Sequence, residues 1–503
     1  MIFRPSLVYL TVFVVASCGL GYELVASTVA SYVLGDTVTQ FSTVIGAYLS
    51  AMGLGSYLSK YIDRGLARRF VETELAVALV GGLSAVVLMA TFGQAERWFR
   101  PMLYGIVLIT GCLVGLEIPL ALRLLKESVG FKDLVAEVLT FDYLGSLAAS
   151  ILFPMFALPH LGLVRASLLF GIANALIGLW STWIFAEQIG RVGLLRARGV
   201  FVLLVLLAAF AYGERLTTLS EEAMYPHPVV LARTTPYQRI VLTRTPPGGF
   251  ELFLNGHLQF ASSDEYRYHE ALVHPAFGLN PQAKSILVLG GGDGLAVREI
   301  LKHPAVKRVL LVDIDPEMTR LARENPEIVA LNHGSLNSPL VEVRNEDAFA
   351  FIRQSREMFD IAIVDFPDPH NFAIGKLYST HFFKALKARL DPELGAASVQ
   401  TTSPLNARHS FWCINQTLEA AGFSVRPMHA LVPSFGEWGY SLASSVARPE
   451  PTEVPPGLRY LDLATLHALF AFGPDLARVP VETNRLNNQV LVRYYQEELA
   501  AWP

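Results

Sequence analysis

Cysteine is nearly absent from this 503-residue chain: Cys18, Cys112 and Cys413 are too few and too scattered for a disulfide framework or a zinc knuckle. Charge is scarce as well, at 17% Asp, Glu, Lys and Arg against a hydrophobic fraction of 52%. That balance excludes a disordered chain and a coiled coil. The scarcity is local. Residues 1–213 hold 14 Lys and Arg and 12 Asp and Glu, whereas residues 214–503 hold 26 and 32. A membrane part followed by a soluble part is expected. A basic excess is also missing, since the net charge is −4 overall and 26 against 32 leaves −6 for the second part. This argues against nucleic acid as a partner and fits a site that receives cations.

Seven apolar stretches can each cross about 30 Å of hydrocarbon: 6–34, 40–61, 73–93, 101–122, 137–159, 163–186 and 199–213. They predict a multi-pass helical bundle in a cell membrane, with the lipid bilayer as a partner. Pro119, Pro154 and the run Gly53 to Ser56 are tolerable there if neighbouring helices cover the freed backbone. Arg4 and the run ending at Cys18 look like a lipoprotein signal, but apolar sequence continues to Leu34, which argues against cleavage. Basic residues in the short loops divide eleven to four and place the amino terminus inside; seven spans would then put 214–503 outside. Glu23, Glu117 and Asp142 fall within apolar spans. They are either a cation-binding group facing the bundle interior or neutral, hydrogen-bonded packing residues.

In the second part, residues 229–262 alternate and turn at Pro-Pro-Gly-Gly and at Asn255-Gly256, which predicts a small antiparallel β-domain. A helix over 264–278 follows. Residues 285–301 read as an apolar strand running into a glycine turn and a helix, and further strands are expected at 308–315, 341–347, 360–366, 396–401 and 424–431 with helices between, the pattern of a doubly wound parallel, Rossmann-like sheet of the methyltransferase type. The expected division is a transmembrane domain 1–213, a β-hairpin domain 225–262, a catalytic domain 263–446 and a helical tail 447–503.

The turn Gly290, Gly291, Gly292, Asp293, Gly294 lets the backbone approach a ligand, and Asp313 at the next strand end can hold both ribose hydroxyls. A dinucleotide and an S-adenosyl compound compete for such a turn. Asp293 would repel a pyrophosphate, whereas a sulfonium carrying an amine would welcome it. Asp347, followed by Ala348, can accept from an adenine amino group. Each acid alone reads as a helix cap or loop residue; together they stand at successive strand ends, where open α/β sheets bind ligands. A fourth strand ends in Asp365-Phe366-Pro367-Asp368. Two carboxylates so close need a cationic ligand or a shared proton. A diamine fits, attacking a carbon beside the sulfonium while one carboxylate takes its proton.

These residues resemble the spermidine synthase family of polyamine aminopropyltransferases, membrane-fused bacterial type. The matching stretches are Tyr237 to Arg239, 254–275, 288–304, Val312 to Asp315, 346–348 and Asp365 to Pro369. The resemblance implies transfer of aminopropyl from decarboxylated S-adenosylmethionine, a co-substrate, to putrescine or a related amine, with no prosthetic group and no metal. It implies Asp365 as proton acceptor; Asp368, His269, Asp293 and Tyr268 toward the amine; and Gln238, Asp313, Asp347 and Ala348 toward the nucleoside. A homo-oligomer is an open option. An S-adenosylmethionine methyltransferase and a polyamine-binding membrane transporter or sensor are the rival readings. The sequence departs from the family pattern at Phe366 and Pro367, at Asn371 and Phe372, and at Phe435. These departures bear on which amine is accepted, and suggest a longer or less charged one.

Overall fold

The computed structural model describes residues 5–34, 37–94, 96–126, 131–213, 215 and 225–500. Arg4, one of the basic residues used above for orientation, lies outside them. The chain divides into two compact units, Met1–Val229 and Val230–Pro503.

The first unit is helical: Pro5–Leu34, Thr37–Leu58, Leu66–Gln94, Glu96–Leu125, Phe131–Leu152, Leu158–Ile184 and Gly193–Ala211 are its long helices. Small residues let them touch backbone to backbone. A Cβ on Gly55 would fall 1.9 Å from the carbonyl oxygen of Cys112, and one on Gly115 would fall 2.1 Å from that of Met52. Helices Thr37–Leu58 and Glu96–Leu125 therefore meet along a glycine seam, the close approach by which helices associate without a hydrophobic driving force.

Seven spans were expected, and among the described residues five stretches are long and apolar enough to cross a membrane: Leu7–Leu34, Leu66–Phe92, Arg97–Leu125, Asp133–Ile184 and Gly193–Ala211. The difference has two sources. Thr37–Leu58, which carries Thr, Ser, Gly and Tyr residues along its length, is not among the five. The expected segments 137–159 and 163–186 run on through a π-helical turn at Phe153–Ala157, which holds Pro154, and form one stretch of 52 residues. That length is far more than one crossing needs. Its break is Gly162, which has φ 72° and ψ 175°.

The second unit holds two sheets. The strands β1 (Val229–Thr234), β2 (Arg239–Thr245), β3 (Gly249–Leu254) and β4 (His257–Ala261) form an antiparallel meander in that order. Its β3–β4 turn is Asn255-Gly256, both at positive φ, 51° and 83°, the pairing that matches the strand twist of a two-residue hairpin.

The remaining strands are β5 (Ser285–Gly290), β6 (Arg308–Asp313), β7 (Val341–Asn345), β8 (Ile361–Asp365), β9 (Ala396–Gln400), β10 (Ser424–Val432) and β11 (Gly436–Ser444). They form one sheet in the order β10-β11-β9-β8-β5-β6-β7. Strands β5 to β9 run parallel, as expected; β5, β6, β8 and β9 are buried along most of their length, whereas the edge strand β7 alternates Val341 and Val343 with Glu342 and Arg344. The expected all-parallel sheet needs one correction. Strand β11 was not anticipated; it pairs antiparallel with both β9 and β10, so the sheet ends in an antiparallel hairpin. The chain runs outward through β5, β6 and β7 and then returns to place β8 on the other side of β5. The crevice at the β5 and β8 tips is therefore the topological switch point, where open α/β sheets take their ligands.

Candidate active site

The site is built on that crevice. Residues Ile286 to Leu289 are fully buried, so β5 is anchored up to its tip, where the chain turns through Gly290, Gly291 and Gly294 at φ 78°, 64° and 81°. Gly290 stands in register with Asp365 on β8, and a Cβ there would lie 2.2 Å from the Asp365 carbonyl oxygen. A residue with a side chain would push the two tips apart. Gly292 serves β6 in the same way: its N–H donates to Asp313 Oδ2 at 3.1 Å, and a Cβ would fall 2.6 Å from that oxygen.

A cavity of about 340 Å³ opens at these tips. It is lined by Gln238, Tyr268, His269, Gly290, Gly291, Gly292, Asp293, Asp313, Asp347, Ala348, Asp365 and Asp368, so nearly every residue singled out from sequence meets there. Gly294 is set back from the wall. Its left-handed backbone caps helix Leu295–Ile300, and Ser335 donates to its carbonyl at 2.6 Å.

At one end the carboxylates are partly engaged. Asp313 Oδ1 accepts from the Asp315 N–H at 2.8 Å. Burial pushes the Asp313 carboxyl up to about 7, against the pull of that N–H and with the charges of Asp315 and Asp293 adding to the rise. Asp347 caps helix Ala348–Gln354 through Oδ1, accepting from Phe349 N–H at 2.7 Å, and its Oδ2 pairs with Lys376 Nζ at 2.9 Å. It is thus a helix cap and a cavity wall at once. Gln238 Nε2 donates to Asp315 Oδ2 at 2.9 Å and holds that edge.

The other end is denser in acid. The Tyr268 hydroxyl donates to Asp365 Oδ1 at 2.6 Å. Asp368 Oδ1 accepts from Gln400 Nε2 at 3.1 Å, and its Oδ2 accepts from the Tyr495 hydroxyl at 2.9 Å. Burial raises both carboxyls to about 6; for Asp365 the neighbouring His269 opposes the rise and Asp293 adds to it, and for Asp368 the hydroxyl and amide donors oppose it. Asp293, half-buried beside them, is likewise pushed up by desolvation, with His269 pulling the other way. Burial works against charging His269, but Glu265 outweighs it, with Asp293 and Asp365 behind, so the imidazole pKa is raised. Among the described residues, no lysine or arginine forms an ion pair with Asp365 or Asp368.

The departures at Phe366 and Phe435 separate in space. Phe366 is 6% exposed and its ring turns mainly into the core, edge-on to Tyr378 at 6.2 Å and Phe382 at 5.7 Å. Phe435 packs edge-on to Tyr268 at 6.0 Å and against Trp438 at 4.9 Å, above the acids. Asn371 caps the short helix Phe372–Gly375, its Oδ1 accepting from Ile374 N–H at 3.0 Å.

Sequence reasoning passed over several residues here. Glu265 takes a two-pronged contact from Arg298, at 2.8 and 2.9 Å, and also receives His269 Nδ1 at 2.9 Å, so it sets the orientation of that ring. His257 and His370 stack at 5.0 Å in the cavity wall, and burial lowers the pKa of His370 to about 4. Gln400 could have been found, because it ends a strand of the same parallel series. Tyr495 carried no local signal. In the helical unit, Glu23 and Glu117 are buried and Asp142 is half-buried. Glu74, also overlooked, is fully buried and accepts from Asn174 Nδ2 at 3.0 Å.

A spermine/spermidine synthase domain matches residues 265–453. The polyamine aminopropyltransferase of Leptospira interrogans is 50% identical over 97% of this chain and 98% of its own length. Polyamine aminopropyltransferase 2 of Ralstonia nicotianae is 50% identical over 98% of each. A solved spermidine synthase in complex with the transition state analogue AdoDATO is 26% identical, with a TM-score of 0.46, over 49% of this chain and 85% of that one. The chain belongs to the spermidine synthase family of polyamine aminopropyltransferases.

Proposed function

We propose that the cavity transfers the aminopropyl group of decarboxylated S-adenosylmethionine to a diamine of the putrescine class, giving methylthioadenosine and spermidine. The observation that carries this reading is the acidic end of the cavity, where Asp293, Asp365 and Asp368 stand half-buried together and, among the described residues, the last two receive hydroxyl and amide donors but no lysine or arginine. Carboxylates in that state are stabilised by a bound cation. Both substrates are cations.

Asp313 takes the ribose hydroxyls with the lone pairs its backbone contacts leave free. Asp347 and Ala348 face the adenine, Gln238 closes that edge, and Asp293 faces the donor's amine. The acceptor lies between Tyr268 and Asp368 with its distal ammonium on Asp368 and its reacting nitrogen neutral. That nitrogen attacks the methylene beside the sulfonium; a C–N bond forms, the C–S bond breaks, and its electron pair stays on sulfur as a neutral thioether. Asp365 takes the surplus proton. A base held near 6 is deprotonated at neutral pH and still close enough in pKa to work as a proton acceptor. A methyltransferase donor would bring its own carboxylate to the same end, beside Asp293 and Asp365, where like charge disfavours it.

The helical unit is read as a membrane anchor in the cell membrane. The apolar side chains it leaves exposed support this, among them Leu147 and Ile151 on one helix and Phe201 and Leu204 on another. The full chain in detergent, given decarboxylated S-adenosylmethionine and putrescine, should yield spermidine and methylthioadenosine in equal amounts by mass spectrometry. Absence of product with putrescine and with a panel of longer amines would overturn the reading.

A further inference from the structure

The matched family domain ends at residue 453, yet the chain beyond it returns to the active site. Helix Val490–Ala500 buries Val490 and Leu491 in the same core cluster as Tyr378, Phe382 and Phe383. The segment that leads into it is fastened to the loop after the paired aspartates. Asn484, fully buried, donates through Nδ2 to the carbonyls of Gly375 at 3.0 Å and Tyr378 at 3.1 Å, and its own carbonyl accepts from Thr380 N–H at 3.1 Å. Val492 lies so close that a Cβ on Gly375 would come within 2.5 Å of it. Gln496 donates to the His370 carbonyl at 3.2 Å. From the middle of this helix Tyr495, 4% exposed, sends its hydroxyl to Asp368 Oδ2.

Asp368 is thereby gripped from two sides, by Gln400 on one oxygen and by Tyr495 on the other. Both donors are neutral, so they fix the direction of the carboxylate without cancelling its charge. A cation approaching through the cavity meets an acid already turned toward it and does not have to order it on arrival, which is how preorganisation strengthens binding.

We propose that the carboxy-terminal segment 480–500 is part of the acceptor half of the site, and that Tyr495 is a positioning residue that holds Asp368 toward the distal ammonium of the amine. This rests on the reading of Asp368 as the amine contact.

The test uses the full chain with Tyr495→Phe, Asp368→Asn and the double variant, in steady-state kinetics with donor and putrescine varied separately. Tyr495→Phe keeps the ring and its packing. It should raise the KM for putrescine roughly ten- to a hundredfold, the scale of one hydrogen bond to a charged group. The KM for the donor and the affinity for methylthioadenosine should stay within twofold. Without its hydroxyl donor the Asp368 carboxyl should titrate higher, so the pH below which putrescine binding is lost should also move up. The double variant should bind putrescine no worse than Asp368→Asn alone, because the tyrosine acts through the aspartate. Three outcomes are decisive. If Tyr495→Phe lowers Tm but leaves the putrescine KM unchanged, or if the two effects add, the tyrosine is structural only and the proposal fails. If Asp368→Asn itself leaves the putrescine KM unchanged, the underlying assignment of Asp368 fails, and the proposal with it.

Discussion

The Tyr268 hydroxyl stands 2.6 Å from Asp365 Oδ1, and the same tyrosine packs against Tyr440 and Phe435. One oxygen of the acid is thus held by a group anchored in the core, and the other is left to face the cavity. Desolvation keeps the pair apart from bulk water and pushes the tyrosine's own pKa upward. In the proposed reaction, a base fixed in this way would need no reorganisation when the proton arrives.

Asp365→Asn should keep this geometry, since the amide oxygen still accepts from Tyr268, and should lose the base. Turnover should fall about 10²–10⁴-fold with donor binding intact. In the unsubstituted protein the carboxyl is charged only above about 6. The rate should therefore fall as pH drops through that value, and stopped-time assays from pH 5 to 8 would reveal the limb. Turnover near the original level with all substrates saturating would remove Asp365 from the mechanism.

The same acid costs stability. Its folded pKa of about 6 lies above the unfolded value of about 3.9. The folded state therefore binds the proton more tightly. Its favourable contribution is complete below the unfolded value and is lost as pH rises through about 6. At pH 8 the apo Asp365→Asn protein should be more stable by on the order of 1–3 kcal/mol, and at pH 4 the difference should vanish. Thermal melts at the two pH values check this; a variant that is less stable at pH 8 contradicts it.

Asp313→Ala should weaken nucleoside binding while the fold survives. Loss of a charge-assisted bond costs on the order of 1.5–3 kcal/mol, about ten- to a hundredfold in affinity. Calorimetry with methylthioadenosine is the measurement, and an unchanged affinity would remove the ribose assignment.

Gly290→Ala and Gly291→Ala should differ sharply although the residues are neighbours at positive φ. At Gly290 the new methyl meets the backbone oxygen of Asp365, which cannot move without displacing β8; at Gly291 its nearest neighbour is the Asp365 side chain at 3.2 Å. Each substitution carries left-handed backbone strain of about 1 kcal/mol or more. Only Gly290→Ala should also separate the strand tips, with a clearly larger drop in Tm and loss of activity. Equal melting temperatures would show that β8 yields at no cost.

If the helical unit spans a membrane and both substrates are cytoplasmic, the second unit should lie on the cytoplasmic side. A fluorescent-protein fusion after Pro503 should then glow and an alkaline phosphatase fusion should be silent. The reverse pattern would favour the basic-loop count, which put residues 214–503 outside.

Local backbone chemistry was legible without any structure. Asn255-Gly256 turns a hairpin because both residues reach positive φ cheaply, and the β5 glycines announce a ligand turn for the same reason. The acids at the strand ends were legible because parallel strands of one series must deliver their tips to one edge. What the alternation of apolar runs could not supply was orientation and return. Phe366 reads as a residue between two active-site acids, yet most of its ring is drawn into the core beside Phe382, where burying apolar area outweighs facing a polar cavity. Strand β11 turned an expected parallel edge into a hairpin, because pairing partners are chosen by sheet geometry and not by the strand's own residues. Tyr495 lies 127 residues from the acid it holds, with a short amphipathic helix as its local context. Contacts of that range leave no periodicity to read, because they depend on how the whole chain packs; the sequence by itself determined the chemistry at the strand tips, and the tertiary structure alone decided which distant side chains close around it.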